Sequence, residues 1–268
     1  MRVTNFKDKV KNYWNQASCG TEFIKEEKYS KQYFDAIEDF RYKIEPEIFS
    51  FAQFSRFRNK KVLEVGIGAG TDFIQWVRSG CKAYGIDLTQ EALKNTQTRL
   101  NLEGLSAQEL IVADAEKIPY EAQTFDLVYS WGVIHHSKDT FKALSEIIRV
   151  TKLHGTIKLM IYNRYSLFAF YRWLLEALFK GKPFRSLQNV LFYNQESYGT
   201  KAYTKKEFLK NIKNFPVELI SIDRTVSNHD LLYYKSKFYR TCAFIVASLF
   251  GWKRLGWFMK IELKKLDL

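Results

Sequence analysis

Residues 61–70, KVLEVGIGAG, constrain this chain more than any other stretch. An apolar run of strand-forming residues leads directly into glycines at alternate positions, Gly66, Gly68 and Gly70. Such a run reads as a buried strand. A glycine loop after it lets the backbone turn sharply and approach another group without a Cβ in the way. The segment that follows, TDFIQWVRSG, has helical spacing and a stop at Gly80. A helix starting there aims its unpaired N–H groups back at the loop.

The same alternation continues. KAYGIDL reads as a strand, and TQEALKNTQTRLNLEG as a helix with Thr89 as N-cap and Gly104 as stop. ELIVAD and FDLVYSWGV read as strands. KDTFKALSEIIRVTKLHG reads as a helix ending at Gly155, and TIKLMIYN as a strand. TKKEFLKNIKNF is a helix capped by Thr204, PVELISIDRT a strand, and LGWFMKIELKK a closing strand. Strands and helices in this alternation predict a doubly wound α/β domain with a mostly parallel sheet. Residues 1–58 read as an N-terminal helical extension, with Pro46 opening a new helix. Residues 59–268 form the main domain. Two insertions interrupt it, at about 163–203 and 227–254. The first opens with an aromatic helix, RYSLFAFYRWLLEALFKG, followed by a loop-like stretch; the second holds a helix around 236–250.

Charge separates the halves of the chain. Residues 1–150 hold 21 Lys and Arg against 21 Asp and Glu, whereas residues 151–268 hold 21 against 8. The whole net charge of +13 thus lies in the C-terminal part. A local basic excess concentrates anionic partners: nucleic acid, anionic lipid or acidic small molecules. A solvated basic face is the plain alternative. Cys19, Cys81 and Cys242 are widely spaced, with no CxxC and no Cys/His cluster, so neither a structural zinc nor a disulfide framework is expected. The charged N-terminus lacks an apolar signal core, and the longest apolar stretch, CAFIVASLF, is far shorter than a membrane span. A cytoplasmic protein, peripheral to a membrane at most, is the expectation.

Two acids accompany the glycine loop. Asp87 closes the second strand, facing the crevice beside the loop, where a carboxylate can accept hydrogen bonds from a ribose diol. Asp114 closes the third, within reach of an adenine edge. Either alone could be a helix N-cap. A dinucleotide site is the chemical rival, but its GxGxxG pattern fails at Thr71, and Asp72 puts a negative charge where a pyrophosphate would need an anion site. Glu64, inside the first strand, has no partner in such a site.

At these residues the chain resembles the class I S-adenosylmethionine-dependent methyltransferases, in particular the broad type 11 group, over roughly residues 60–162. LEVGIGAGTD resembles the family's first motif and FDLVYSWGVIHH its fourth. RVTKLHGTIKLMIYN is similar to a family segment usually written R-x-L-K-P-G-G, with Leu153 in place of the proline and His154 in place of the first glycine. The resemblance implies a Rossmann-like, seven-stranded sheet with an antiparallel last strand, and S-adenosylmethionine as cofactor. It implies that Glu64, Gly66, Gly68 and Gly70 line the methionine end. Asp87, with Leu88 beside it, would hold the ribose, and Asp114 and Ala115 the adenine.

Methyl transfer from a sulfonium is an in-line displacement, so proximity and alignment carry most of it. A base is needed only where the acceptor must lose a proton. His135 and His136, after the fourth strand, are the candidates; hydrogen bonding within the loop is the alternative. Adjacent histidines are expected to diverge and no third ligand is evident, so no metal site is expected. Trp131 is a candidate cation–π wall for the sulfonium, or a core residue. Tyr13, Trp14, Cys19 and Gly20 are candidates for a lid. The acceptor-side insertions, rich in aromatics and in Arg164, Arg172, Lys180, Lys182 and Arg185, suggest a small-molecule, glycan or lipid-linked acceptor and contact with an anionic membrane, or simply helices packed on the sheet. A nucleic-acid methyltransferase and a non-catalytic cofactor-binding protein are the other two readings. SWGVIHH stands where base-amino methyltransferases carry an Asn/Asp-Pro-Pro-Tyr/Phe motif, which disfavours that subtype of the former.

Overall fold

The computed structural model of the chain describes residues 5–16, 21, 24–232 and 237–267. KVLEV forms strand β1 (Lys61–Val65), buried along nearly its whole length because strands flank it on both sides. β2 (Lys82–Asp87) runs parallel to it with Leu63 beside Tyr84, and β3 (Glu109–Val112) lies parallel to β2. On the other side, β4 (Phe125–Trp131) runs parallel with Leu63 beside Val128, followed by β5 (Thr151–Tyr162). β6 (Val217–Asp223) and β7 (Phe258–Lys265) complete the order β3-β2-β1-β4-β5-β7-β6. β7 is antiparallel to both its neighbours. The expected seven-stranded, mostly parallel sheet is therefore present.

Helices cover both faces. α1 (Phe6–Gln16), α2 (Lys31–Ile44) and α3 (Glu47–Ala52) precede the sheet, with Pro46 directly before α3. α4 (Thr71–Arg78) and α5 (Gln90–Leu102) follow the first two strands, and α6 (Thr140–Val150) follows β4. Side chains alternate along β1, so Val62 joins the core with Ile48, Trp76 and Leu100, while Leu63 and Val65 join the core with Ala143 and Ile147. The strand order reverses between β1 and β4. That reversal opens a crevice beyond the carboxyl ends of these strands, where α/β sheets bind their ligands.

Three stretches depart from the sequence reading. The sixth helix ends at Val150 rather than at Gly155, and β5 begins at the next residue. Thr151 pairs with Phe125, and Lys152 bonds Asp126 at 2.8 Å, so contacts distant in sequence end the helix before any glycine does. The aromatic helix divides into α7 (Leu167–Trp173) and a π-turn, Leu174–Leu178. The stretch read as loop contains α8 (Leu187–Asn194), capped by the Ser186 hydroxyl and anchored by buried Val190 and Leu191. α9 (Lys205–Ile212) has the expected Thr204 cap, completed by Glu207 into a capping box, and α10 (Lys237–Phe250) occupies the second insertion.

His154 takes a left-handed conformation, φ +59°. That conformation costs a non-glycine residue about 1–2 kcal/mol, against an entropic penalty of about 0.5–1 kcal/mol for glycine. His154→Gly is therefore expected to stabilise the fold by about 0.5–1 kcal/mol, raising the melting temperature by about 2 °C. A calorimetric melt that is unchanged or lowered would count against strain at this turn.

Candidate functional site

A partly open cavity of about 1170 Å³, mouth included, lies in the crevice. Glu64, Gly66, Gly68, Asp87, Leu88, Asp114, Ala115, Trp131 and His136 all contribute to its wall. Residues spread over 73 positions of sequence are thus brought together because successive parallel strands end on one edge of the sheet. Gly70 and His135 are not part of that wall.

The three glycines do different work. Gly66 has φ +84°, and a Cβ there would lie 2.2 Å from Val133 Cγ2. Gly70, at the N-cap of α4, has φ +77°, and a Cβ would meet Thr96 Oγ1 at 2.8 Å, so its role is the close packing of α4 on α5. Gly68 has φ +52° with no atom within 4 Å of an added Cβ. Its open side is the cradle of the cavity. The Gly68 N–H donates to Asp87 Oδ2 at 3.2 Å, while Asp87 Oδ1 accepts from the Thr89 N–H at 2.9 Å and its hydroxyl at 2.8 Å. Burial pushes the Asp87 carboxyl above its ordinary pKa, and these hydrogen bonds pull against that rise.

At one end of the cavity, Asp114 accepts from the Glu116 N–H at 2.8 Å and is paired with Lys7 of α1. Lys7 also reaches Glu116 at 3.0 Å. With Phe6, Val10 and Trp14, it places one face of α1 against the cavity. Of the other expected lid residues, Tyr13 packs edge-on against Trp14 with ring centroids 4.9 Å apart, while Cys19 and Gly20 lie outside the described residues.

At the opposite end, Glu64 accepts a hydrogen bond from Trp76 Nε1 at 2.9 Å, which supplies the partner its sequence position lacked. Burial, reinforced by nearby Asp72, raises its pKa well above the usual carboxylate range. Asp72 is held by Arg41 through two nitrogens at 3.2 Å, by Tyr42 at 3.2 Å and by Tyr129 at 2.9 Å. Trp131 lines the wall and donates its indole N–H to Glu45 at 2.9 Å, so it is both wall and packed core. Burial pushes the Glu45 carboxyl up to about 7. Arg41 was not legible as a site residue. Only its place in the last turn of an amphipathic helix marks it, and the Asp72 it holds is 31 residues away.

The two histidines separate. Both sit on a single 3₁₀ turn, Ile134–His136, so their rings lie 4.3 Å apart instead of diverging as adjacent residues on a strand would. His135 is fully buried with its ring 3.9 Å from that of Tyr162, and neither ring nitrogen has a hydrogen-bond partner. Burial, then the neighbouring His136, holds it neutral. His136 Nδ1 lies 2.9 Å from Ser197 Oγ and 3.1 Å from Thr200 Oγ1, and its Nε2 lies 3.2 Å from Glu196 Oε2. Ser197, Thr200 and Glu196 are not part of the cavity wall, so both nitrogens point away from it. Neither His135 nor His136 thus offers a lone pair to the cavity, and the geometry does not support the general-base expectation. His136 instead ties the wall to the first insertion.

Glu196 was missed because nothing in its sequence surroundings pairs it with a residue 60 positions away. Burial raises its pKa, but contacts with His136 and Tyr162 outweigh that and hold the carboxyl below its ordinary value. A carboxyl depressed in the fold adds stability above its unfolded pKa and loses it as the pH falls through the folded value. Glu196→Gln is therefore expected to lower the melting temperature most at neutral pH, with the difference from wild type vanishing in acid. A difference independent of pH would contradict this. Among the described residues, no group of three or more His, Cys, Asp or Glu is arranged to hold a metal.

Comparison with known proteins agrees with this geometry. Residues 63–159 match a family model described as a methyltransferase domain. A phthiotriol/phenolphthiotriol dimycocerosates methyltransferase of Mycobacterium ulcerans is 28% identical over 169 residues, covering 62% of this chain and 60% of that protein. A malonyl-[acyl-carrier protein] O-methyltransferase of Salmonella typhimurium is 31% identical over 96 residues, 36% of each chain. The match spans less than two thirds of the length of these relatives. Among solved structures, a geranyl diphosphate C-methyltransferase from Streptomyces coelicolor aligns over 100% of both chains with a TM-score of 0.64 at 12% identity, a likeness of fold. The matched domain, the sheet order and the cavity at the end of β1 agree: residues 63–159 are similar to a methyltransferase domain and lie in a sheet with the fold of the class I S-adenosylmethionine-dependent methyltransferases.

Proposed function

We propose that this chain transfers a methyl group from S-adenosylmethionine to a small-molecule, glycan or lipid-linked acceptor. One observation carries the reading: an open glycine cradle at Gly68 and two acids from successive strand ends, Asp87 and Asp114, share one cavity wall. The cradle, which a side chain would fill, and the half-buried acceptor at Asp87 fit a nucleoside-bearing cofactor.

Bound there, S-adenosylmethionine supplies an electrophilic methyl group on a sulfonium. The protein's task is to align and enclose it. Asp87 accepts from the ribose hydroxyls, with Leu88 packed beside it. Asp114 and Ala115 meet the adenine edge, with Lys7 clamping the acid. Arg41, held by Asp72 and Glu45, gives the methionine end a cation for its carboxylate. Glu64 and Gly66 complete that end. Trp131 offers a π face to positive charge. Helix α1 excludes water. No base is assigned among the cavity residues: a carboxylate or thiolate acceptor has no proton to lose, and a hydroxyl or amine acceptor would release its proton to solvent or buffer as the methyl is transferred.

The acceptor class rests on the aromatic first insertion beside the site and on relatives whose names point to lipid and acyl substrates. Contact with an anionic membrane belongs to the same reading. Calorimetry with S-adenosylhomocysteine and transfer of labelled methyl into a total bacterial lipid extract test it. Binding together with label in the lipid fraction is expected. Absence of binding would overturn the enzyme reading, and label in added RNA alone would replace the acceptor.

A further inference from the structure

Helix α10 is built the wrong way round for a helix packed on a globular core. Its inward face carries the small side chains: Ala243 and Ala247 are buried against Leu167 of α7. Tyr239 adds an edge contact with Tyr171, ring centroids 4.7 Å apart, and its hydroxyl donates to the Leu167 carbonyl at 3.2 Å. The large apolar side chains face out. Phe238 is 81% exposed, Ile245 53% and Leu249 74%, with Cys242 exposed among them. Positions 238, 242, 245 and 249 follow the spacing of one helix face. That stripe is covered by nothing in the described fold.

The charge around the stripe selects its occupant. Lys237, Arg240, Lys253 and Arg254 bracket the helix, and no Asp or Glu occurs between Asp230 and Glu262. A second copy meeting this face about a two-fold axis would bring the cations at one end of the helix towards the cations at the other end of its partner. An anionic bilayer matches both halves: its acyl boundary takes the apolar stripe and its headgroups take the cations. Fourteen residues of helix measure about 21 Å, short of the roughly 30 Å of a hydrocarbon core, so the helix would lie in the interface plane. Among the described residues, no helix is long and apolar enough to cross a membrane. The turn after α7 repeats the composition, with Phe179 and Phe184 exposed near Lys180, Lys182 and Arg185.

We infer that α10 docks the protein on an anionic lipid surface through Phe238, Ile245 and Leu249. This deepens the lipid-linked acceptor reading proposed above and rests on it only for its purpose, since docking is read without cofactor or methyl transfer.

The test is co-sedimentation of the full chain with vesicles of phosphatidylcholine alone or mixed with phosphatidylglycerol. Wild type is expected to pellet with the mixed vesicles and not with phosphatidylcholine alone. The double variant Ile245→Glu, Leu249→Glu should lose at least about tenfold in vesicle affinity. Its melting temperature should stay at or above that of wild type, because both positions already face water. A second variant, Phe238→Trp, should shift its fluorescence to the blue on mixed vesicles. Equal pelleting of wild type and double variant, or no pelleting of wild type, would overturn the inference. Self-association without vesicles that the double variant abolishes would also overturn it, in favour of a second copy. Calorimetry with S-adenosylhomocysteine in the absence of vesicles reads the enzyme proposal separately, so the two failures are distinct.

Discussion

Gly66→Ala is expected to destabilise the fold by about 2–5 kcal/mol, while Gly68→Ala, two residues along the same loop, is expected to leave it largely standing. At Gly66 two costs combine. A φ of +84° costs an L-residue about 1–2 kcal/mol. The added Cβ would sit 2.2 Å from Val133 Cγ2 and 2.9 Å from Val133 Cβ, and overpacking of that kind typically costs about 1–3 kcal/mol. Val133 cannot swing away freely, because its β-branched side chain is stiff and it begins the 3₁₀ turn that carries both histidines. At Gly68 only the conformational cost applies, since an added methyl meets nothing. That empty space is where a cofactor would approach the backbone. The two variants should therefore fail differently: Gly66→Ala by loss of thermal stability, Gly68→Ala by loss of S-adenosylhomocysteine affinity at near-normal stability. Equal melting temperatures for the two would show that the loop relaxes around Val133.

The same loop shows how far the sequence is legible. β1 could be read because a central parallel strand is buried on both faces and so appears as a short apolar run, interrupted here only by Glu64. Thr89 and Thr204 could be read as caps because the hydroxyl's partner is only three residues on. The failures are contacts over long separations. Nothing in KDTFKALSEIIRVTKLHG marks Thr151 as the start of a strand; its pairing with Phe125 does. α8 lacks a strong periodic pattern, and buried Val190 and Leu191 fix it through tertiary packing.

At the site, the sequence named the residues at strand ends. It could not name those that reach the cavity from elsewhere: Lys7 acts across 107 residues and Arg41 across 31. For His136 the residue was identified but not its orientation. Ser197, Thr200 and Glu196 turn its nitrogens away from the cavity, and they belong to an insertion whose path depends on tertiary contacts.

Asp87→Ala is expected to weaken S-adenosylhomocysteine binding by about 1–3 kcal/mol, roughly 5–150-fold, the cost of leaving buried polar groups without a partner. The carboxylate has one task in the fold and a second in the proposed reading, and this substitution removes both. It buttresses the loop through the Gly68 N–H and the Thr89 backbone and hydroxyl. In the proposed reading, its remaining acceptor capacity would serve the ribose. Asp87→Asn separates them. The amide keeps an oxygen for Thr89 but presents an NH₂ group in place of the second acceptor, either to the Gly68 N–H or to the ribose. If Asp87 serves mainly as a ribose acceptor, the asparagine variant should melt near wild type yet bind as poorly as alanine. If it is mainly a buttress, asparagine should recover affinity in step with stability. Burial raises the carboxyl's pKa, so ionising it already costs the fold something. Removing it should therefore destabilise the free protein less than three lost hydrogen bonds would suggest, and the binding loss should exceed the stability loss. Calorimetric titration and melting of both variants decide between the roles. Unchanged affinity in Asp87→Ala would take the residue out of the site and leave the cradle at Gly68 without its acid.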